Sequence, residues 1–203
     1  IAFFYTYALF LLARGRFQEA EKILEEAKEL DPIALIPNVH LTNVYLQTGQ
    51  YEAAIRLADQ TLEMYPGAQY LQMLKGWALL YQEEYEKALP VLKVKIDPRH
   101  PNFPDFVASR GYTFAKTGQT ERAKGCLERL DQLSESNPND HILVDKAVVH
   151  LALGEKDAAF EVLYEALDRH MPGLILLPHS AQFRSLREDS RYPAFREKMG
   201  VRE

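Results

Sequence analysis

Cysteine is almost missing from this chain of 203 residues: Cys126 stands alone, so no internal disulfide can form, as fits a reducing compartment. Long apolar runs are missing as well. Ile1 to Ala13 is apolar and aromatic, but it falls short of the roughly 20 residues that a bilayer-spanning helix needs. It would end a membrane helix only if apolar sequence preceded it, and it also fits the repeat described below. No signal-peptide pattern is visible, and the chain does not begin with Met, so sequence upstream of Ile1 is expected. An excess of positive charge is the third absence. Lys and Arg total 24 against 29 Asp and Glu, a net charge of -5. Nucleic-acid binding draws on clustered cations that displace counterions, and this balance argues against it. The expectation is a cytoplasmic protein with no membrane or nucleic-acid partner through this segment.

Chemistry-bearing motifs are lacking too. There is no HExxH, paired CxxC, Walker-type glycine loop or GxSxG. The six histidines (His40, His100, His141, His150, His170 and His179) are scattered. His141 and His150 share a broad helical face, but two and a half turns separate them, too far for one metal ion. His150 reads as a satisfied core or groove residue, and Cys126, among Ala123, Leu127 and Leu130, as an inert buried thiol. The run Glu19, Glu21, Glu25, Glu26 and Glu29, interleaved with Lys22 and Lys28, reads as a solvated helix face. The expectation is no enzyme, no cofactor and no metal.

What the sequence does contain is a repeat. A small residue three places before a larger one recurs as Ala8 with Leu11, Thr42 with Tyr45, Gly76 with Leu79, Gly111 with Phe114, and Ala147 with His150. The small residues are spaced by 34, 34, 35 and 36. Ala20, Ala54, Ala88, Ala123 and Ala159 repeat those steps, as do Leu24, Ala58, Leu92, Leu127 and Leu163. Gly15, Gly49, Gly118 and Gly154 keep the same phase, with Glu83 in the third place. Small residues let two helices approach closely. A glycine between them supplies the positive φ that ends one helix and starts the turn. Pro32, Pro66 and Pro98 stop the second helix of each pair, and Pro138 and Pro172 do so with looser spacing. Phe17, Tyr51 and Tyr85 open second helices as wedges. The spacing predicts helices at about 2–14 and 17–30, 35–48 and 51–64, 68–82 and 84–96, 104–117 and 120–135, and 140–153 and 155–169. Pro90 should kink the sixth of these, and Asp97 to Phe103 forms the most irregular connection.

These residues carry a family resemblance. In the first repeat Ala8, Leu11, Gly15, Phe17, Ala20, Ala27 and Pro32 resemble the tetratricopeptide (TPR) pattern without a gap; in the second, Leu41, Tyr45, Gly49, Tyr51, Ala54 and Pro66 do so nearly as well. Later repeats keep Gly76, Tyr85 and Ala88; Gly111, Gly118 and Ala123; and Ala147, Gly154, Ala159 and Ala166. The resemblance implies an all-α fold, a right-handed superhelical α-solenoid of five helix–turn–helix repeats over residues 1–170, at about 1–34, 35–68, 69–103, 104–139 and 140–172. Residues 171–203 form a C-terminal capping segment with two short helices. There, His170 to Pro178 reads HMPGLILLP. Leu174 to Leu177 either cap the last repeat's open core or lie in the groove as a built-in pseudo-ligand. Ser180 and Ser190 are placed to cap helices reaching Glu188 and Met199, with Pro193 in the first turn of the latter and Gly200 ending it. Phe183, Leu186, Arg187, Asp189, Arg191, Tyr192 and Phe195 resemble the tail behind TPR arrays in some bacterial multidomain regulators, which implies the C-terminal module of a larger protein.

The resemblance also implies an inner face built from the first helix of each pair. It carries Tyr5, Leu9 and Leu12; Ile36, Val39, Asn43 and Leu46; Tyr70, Met73, Trp77, Leu80 and Tyr81; Tyr112 and Lys116; and Val144, Val148 and Leu151. Tyr70, Met73, Trp77 and Tyr81 fall on one helical stripe, of residue types that anchor interfaces. The same stripe can also be core. Chaperone-tail binding by this family needs Lys, Arg and Asn on this face; only Asn43 fits, so no carboxylate clamp is expected. The implied function is a scaffold that binds a protein or peptide in an apolar groove. The alternatives are a homodimeric or other self-associating module, and an assembly or secretion factor for envelope machinery.

Overall fold

The computed structural model describes residues 2–93, 99–100, 102–136, 141–171, 174 and 177–200, with the side chains of residues 2–5 and 136 outside that description. Two compact units divide at Lys95 and Ile96, and each is taken by itself. The described residues form helices and turns, and no strand occurs among them.

The first unit holds three helix pairs: α1 (Ala2–Ala13) with α2 (Phe17–Leu30), α3 (Leu35–Gln47) with α4 (Tyr51–Met64), and α5 (Gln69–Tyr81) with α6 (Tyr85–Leu92). Each pair is joined by the same turn. The residue at the glycine phase takes positive φ: Gly15 at 68°, Gly49 at 79° and Glu83 at 61°. The next amide then bonds back to the first helix, Arg16 to Leu11 O at 2.9 Å, Gln50 to Tyr45 O at 2.8 Å and Glu84 to Leu79 O at 2.9 Å. This six-to-one bond satisfies a carbonyl that the helix end would otherwise leave open. Arg16, Gln50 and Glu84 open the second helices without any side-chain cap. An acid in the first turn (Glu19, Glu52, Glu86) meets the positive helix end instead.

Packing follows from the small residues. Ala20, Ala54 and Ala88 have no exposed surface, nor do Ala8 and Thr42. A Cβ added to Gly76 would lie 2.7 Å from Leu92 Cγ, so α5 and α6 touch where only glycine fits. Around these contacts Leu11, Leu24, Leu41 and Val44 close one core cluster, with Phe17 and Tyr45 packed against it. Thr42 and Thr61 are buried, and each hydroxyl donates to the carbonyl four residues back, Asn38 O and Leu57 O, at 2.8 Å.

The second unit repeats the scheme with α7 (Phe103–Lys116) and α8 (Thr120–Ser136), then α9 (Ile142–Leu153) and α10 (Lys156–Asp168). Gly118 and Gly154 take φ of 72° and 81°, and Gln119 and Glu155 bond back to Phe114 O and His150 O at 2.8 and 2.9 Å. A Cβ on Gly111 would meet Val149 Cγ2 at 2.9 Å and Cys126 Cβ at 3.0 Å, which draws α7, α8 and α9 together. A 3-10 turn (Ala181–Phe183), α11 (Arg184–Arg187) and α12 (Tyr192–Lys198) follow. The ring of Phe195 packs edge-on against Phe160 and Tyr164 of α10, at 6.1 and 5.2 Å. Arg191 lies 4.3 Å over Phe160 and pairs with Asp157 and Asp189 at 2.6 and 2.9 Å. Leu174 and Leu177 are buried; Ile175 and Leu176 lie outside the described residues.

Three local expectations need correction or fall away. The sixth helix ends at Leu92, two residues past Pro90, with Lys93 as its C-cap, and residues 94–96 of the expected span lie outside the described residues. Pro90 has no amide to donate, and its ring disfavours helix at the residue before it. Asp97, Pro98, Pro101 and Pro138 lie outside the described residues. Neither serine caps a helix by its side chain. The Ser180 hydroxyl contacts Gln182 Oε1 at 3.2 Å, and α12 starts after Arg191, whose amide donates to Asp189 Oδ1 at 3.1 Å.

A substitution pair tests the turn and the packing together. Glu83→Gly removes a side chain from a positive-φ position and is expected to stabilise the protein by about 0.5–1 kcal/mol. Gly76→Ala overpacks the α5–α6 contact and is expected to cost about 1–3 kcal/mol. Urea denaturation measures both.

Candidate functional site

The residues singled out in the sequence lie on the first helix of each pair, and burial sorts them sharply. In the first unit, Leu12 on α1, Leu46 on α3, and Met73, Trp77 and Leu80 on α5 are buried, Trp77 with only 2% of its surface exposed. Leu9 and Ile36 are open, at 42% and 47%. Val39, Asn43, Tyr70 and Tyr81 are half-buried. The side chain of Tyr5 lies outside the described residues. In the second unit, Val148 and Leu151 are buried, Tyr112 and Val144 half-buried, and Lys116 exposed with its Nζ 5.6 Å from the Tyr112 ring. The accessible part of this face is therefore narrower than its sequence pattern.

The aromatic stripe on α5 is a packed column. The ring of Trp77 stacks on Tyr81 at 5.7 Å, and Tyr81 meets Tyr51 of α4 at 5.5 Å. Tyr51 opens α4, so the wedge position of the second helix reaches the aromatic end of the third pair's first helix. Asn43 accepts from Gln47 Nε2 through Oδ1 at 3.2 Å, which orients its amide along α3. Ile36, Val39 and Asn43 follow one another at helical spacing, three and then four apart, and so share a side of α3.

The titratable groups are held in structural roles. His150 Nδ1 lies 2.8 Å from Glu155 Oε2, across the α9–α10 turn. Burial pushes the His40 imidazole down. For His179 burial does the same, with Arg187 and Arg196 adding to it. Burial also pushes the Cys126 thiol up, which keeps it protonated and weakly nucleophilic beneath Gly111. Among the described residues no group of three His, Cys, Asp or Glu side chains is placed to hold a metal ion. No described helix is long and apolar enough to cross a membrane.

Two features escaped the sequence reading. One is an exposed apolar edge in the first unit, with Leu30, Ile33 and Met64 at helix ends and the α2–α3 loop. Tyr65 Oη donates to Ile33 O at 2.8 Å and fixes that loop. The other is a cleft of about 400 Å³ between α4 and α6, floored by α5. Neither has a motif; both come from which members of a repeated pattern are large.

The family model described as Tetratricopeptide repeat matches residues 7–78. No curated protein sequence matches the chain. Among solved structures, the chain is similar to a thermophilic TPR protein of Thermus thermophilus, with 19% identity, 97% of each chain covered and a TM-score of 0.66. It is also similar to MamA 41-end from Desulfovibrio magneticus RS-1, with 19% identity, 82% of this chain and 93% of that chain covered, and a TM-score of 0.53. A MamA RS-1 double mutant gives 19% identity, 93% and 97% coverage, and a TM-score of 0.53. At this identity the likeness is one of fold.

Burial separates core from surface along the α5 stripe and the α3 face. Trp77→Ala is expected to cost about 3–5 kcal/mol in denaturant unfolding, as a buried large aromatic does. Ile36→Ser is expected to stay within about 0.5 kcal/mol of the parent.

Proposed function

We propose that this chain, whose residues 7–78 match the Tetratricopeptide repeat model, is a protein-interaction scaffold whose first helices hold an apolar segment of another polypeptide. The observation that carries this is the exposure of Leu9 and Ile36 on first helices, with Tyr7 and Phe10 also open on α1, beside the enclosed Leu11, Leu12, Leu41 and Leu46. Contiguous apolar patches mark partner surfaces, and in this reading Leu9 and Ile36 are open members of one. Val39, Asn43, Tyr70 and Tyr81, each partly accessible, extend the surface in the first unit; Tyr112, Lys116 and Val144 are its members in the second. The buried residues Leu12, Leu46, Met73, Trp77, Leu80 and Val148 stand behind it as its support. In this reading residues 1–170 comprise five repeats and residues 171–203 a cap, with Phe195 and Arg191 docking α12 on α10. Tyrosine, with one polar tip, and Asn43 give the surface hydrogen-bonding groups to orient a backbone, while Leu9, Ile36 and Val39 give it area.

The test is a peptide selected by display on the immobilised protein. Ile36→Asp is expected to weaken the selected peptide at least tenfold, about 1.4 kcal/mol, and Lys22→Glu on the outer helix α2 to leave it within about twofold. The opposite pattern would reject the inner face. Light scattering on the same samples distinguishes self-association: a parent dimer that Ile36→Asp dissociates would make the partner a second copy of the chain.

A further inference from the structure

The cleft between α4 and α6 is explained by comparing one helix pair with the next. In the second pair, Tyr45 on α3 reaches back to α2, and its Oη donates to Glu25 Oε1 at 2.6 Å. The ring packs against the core cluster of the first two pairs, and burial together with the Glu25 carboxylate pushes its phenol well up, so it stays a donor. Thirty-four residues on, Leu79 takes the Tyr45 position on α5 and Asp59 takes the Glu25 position on α4. At the same phase the fourth and fifth repeats carry rings, Phe114 and His150. Leucine ends short of the place where a ring and its hydroxyl would lie. The space left is the cleft of about 400 Å³, floored by Ile55, Leu79 and Val91. At its rim Lys75 Nζ holds Asp59 Oδ1 at 2.5 Å, which fixes the carboxylate, and a carboxylate has further lone pairs to offer a hydroxyl.

We propose that this cleft is a docking site for a tyrosine side chain presented by a partner polypeptide. The ring would rest on Ile55, Leu79 and Val91, and its hydroxyl would donate to Asp59, as Tyr45 donates to Glu25 one repeat earlier. The ionisable lining balances, three acidic against three basic residues, so the site suits a neutral phenol and offers no excess of cations for a phosphate. It is bounded by the second helices α4 and α6 and is independent of the first-helix surface proposed above.

The experiment is a titration of the whole chain, followed by amide and methyl NMR shifts, with N-acetyl-tyrosinamide, N-acetyl-phenylalaninamide and N-acetyl-leucinamide as probes. The tyrosine probe is expected to shift signals of Ile55, Leu79 and Val91 and to bind several-fold more tightly than the other two. Leu79→Tyr restores the ring that the second repeat already carries, so it should fold and abolish those shifts. Asp59→Asn should reduce the tyrosine probe to the level of the phenylalanine probe. Ile36→Asp should change nothing here, so failure of the inner-face proposal stays separate. Absence of shifts at the cleft, shifts that persist in Leu79→Tyr, or equal binding of all three probes would overturn the proposal.

Discussion

Close approach at small residues is the contact on which the rest of this structure depends. At Ala20, Ala54, Ala88, Ala123 and Ala159 no surface is left exposed. At Gly76 and Gly111 not even a methyl group fits without displacing Leu92 or Val149. Helix axes brought this near must be joined by a tight connection, and the positive-φ turn with its six-to-one hydrogen bond supplies it in every pair. The same turn fixes the phase at which each second helix starts, so side chains fall on the same sides from one pair to the next. A repeated function and a repeated defect then become possible at a repeated position.

That regularity leaves the chain with two kinds of surface. The side where first helices are exposed carries isolated large apolar groups over an enclosed layer. Around the second helices of the first unit the surface, apart from Leu30 and Met64 at the ends of α2 and α4, is charged and laced with local ion pairs such as Arg16 with Glu19 and Lys28 with Glu25. Exposed pairs of this kind contribute little stability, so they set solubility and exclude apolar partners more than they hold the fold. The cleft at Leu79 interrupts this outer surface because leucine stands there where Tyr45, Phe114 and His150 carry rings; Leu11 in the first pair lacks one too. In the second unit the cap applies the same rules without the period. Phe195 takes the role of the next core residue against α10, and Asp189, held far below its ordinary range by the Arg191 guanidinium, takes the role of the missing helix cap.

The helix pairs and their turns were legible because each rests on a residue type with a local physical cause. Even Glu83 could be placed, since its phase demanded positive φ whatever the side chain. Burial on the inner face was not legible in the same way. Helix α5 reads QYLQMLKGWALLY, apolar over most of its circumference, so periodicity cannot say whether Trp77 faces a ligand or the core. The structure encloses it while leaving Ile36, on the more ordinary α3, open. The cleft was hidden for a related reason. Aligning Tyr45 with Leu79 as equivalent large residues conceals the difference in reach that creates the space. The serine caps failed although both residues have the right chemistry: the Ser180 hydroxyl turns to Gln182 Oε1, and at α12 it is Asp189 Oδ1 that accepts the amide of Arg191.

In the proposed function the first helices are a binding layer and the second helices its outer support. Hydrogen–deuterium exchange of the whole chain, with and without a bound selected peptide, tests that division most directly. Slower exchange on binding in α1 and α3, with α2 and α4 unchanged, is the result the account predicts. Protection confined to α2 and α4 would contradict it.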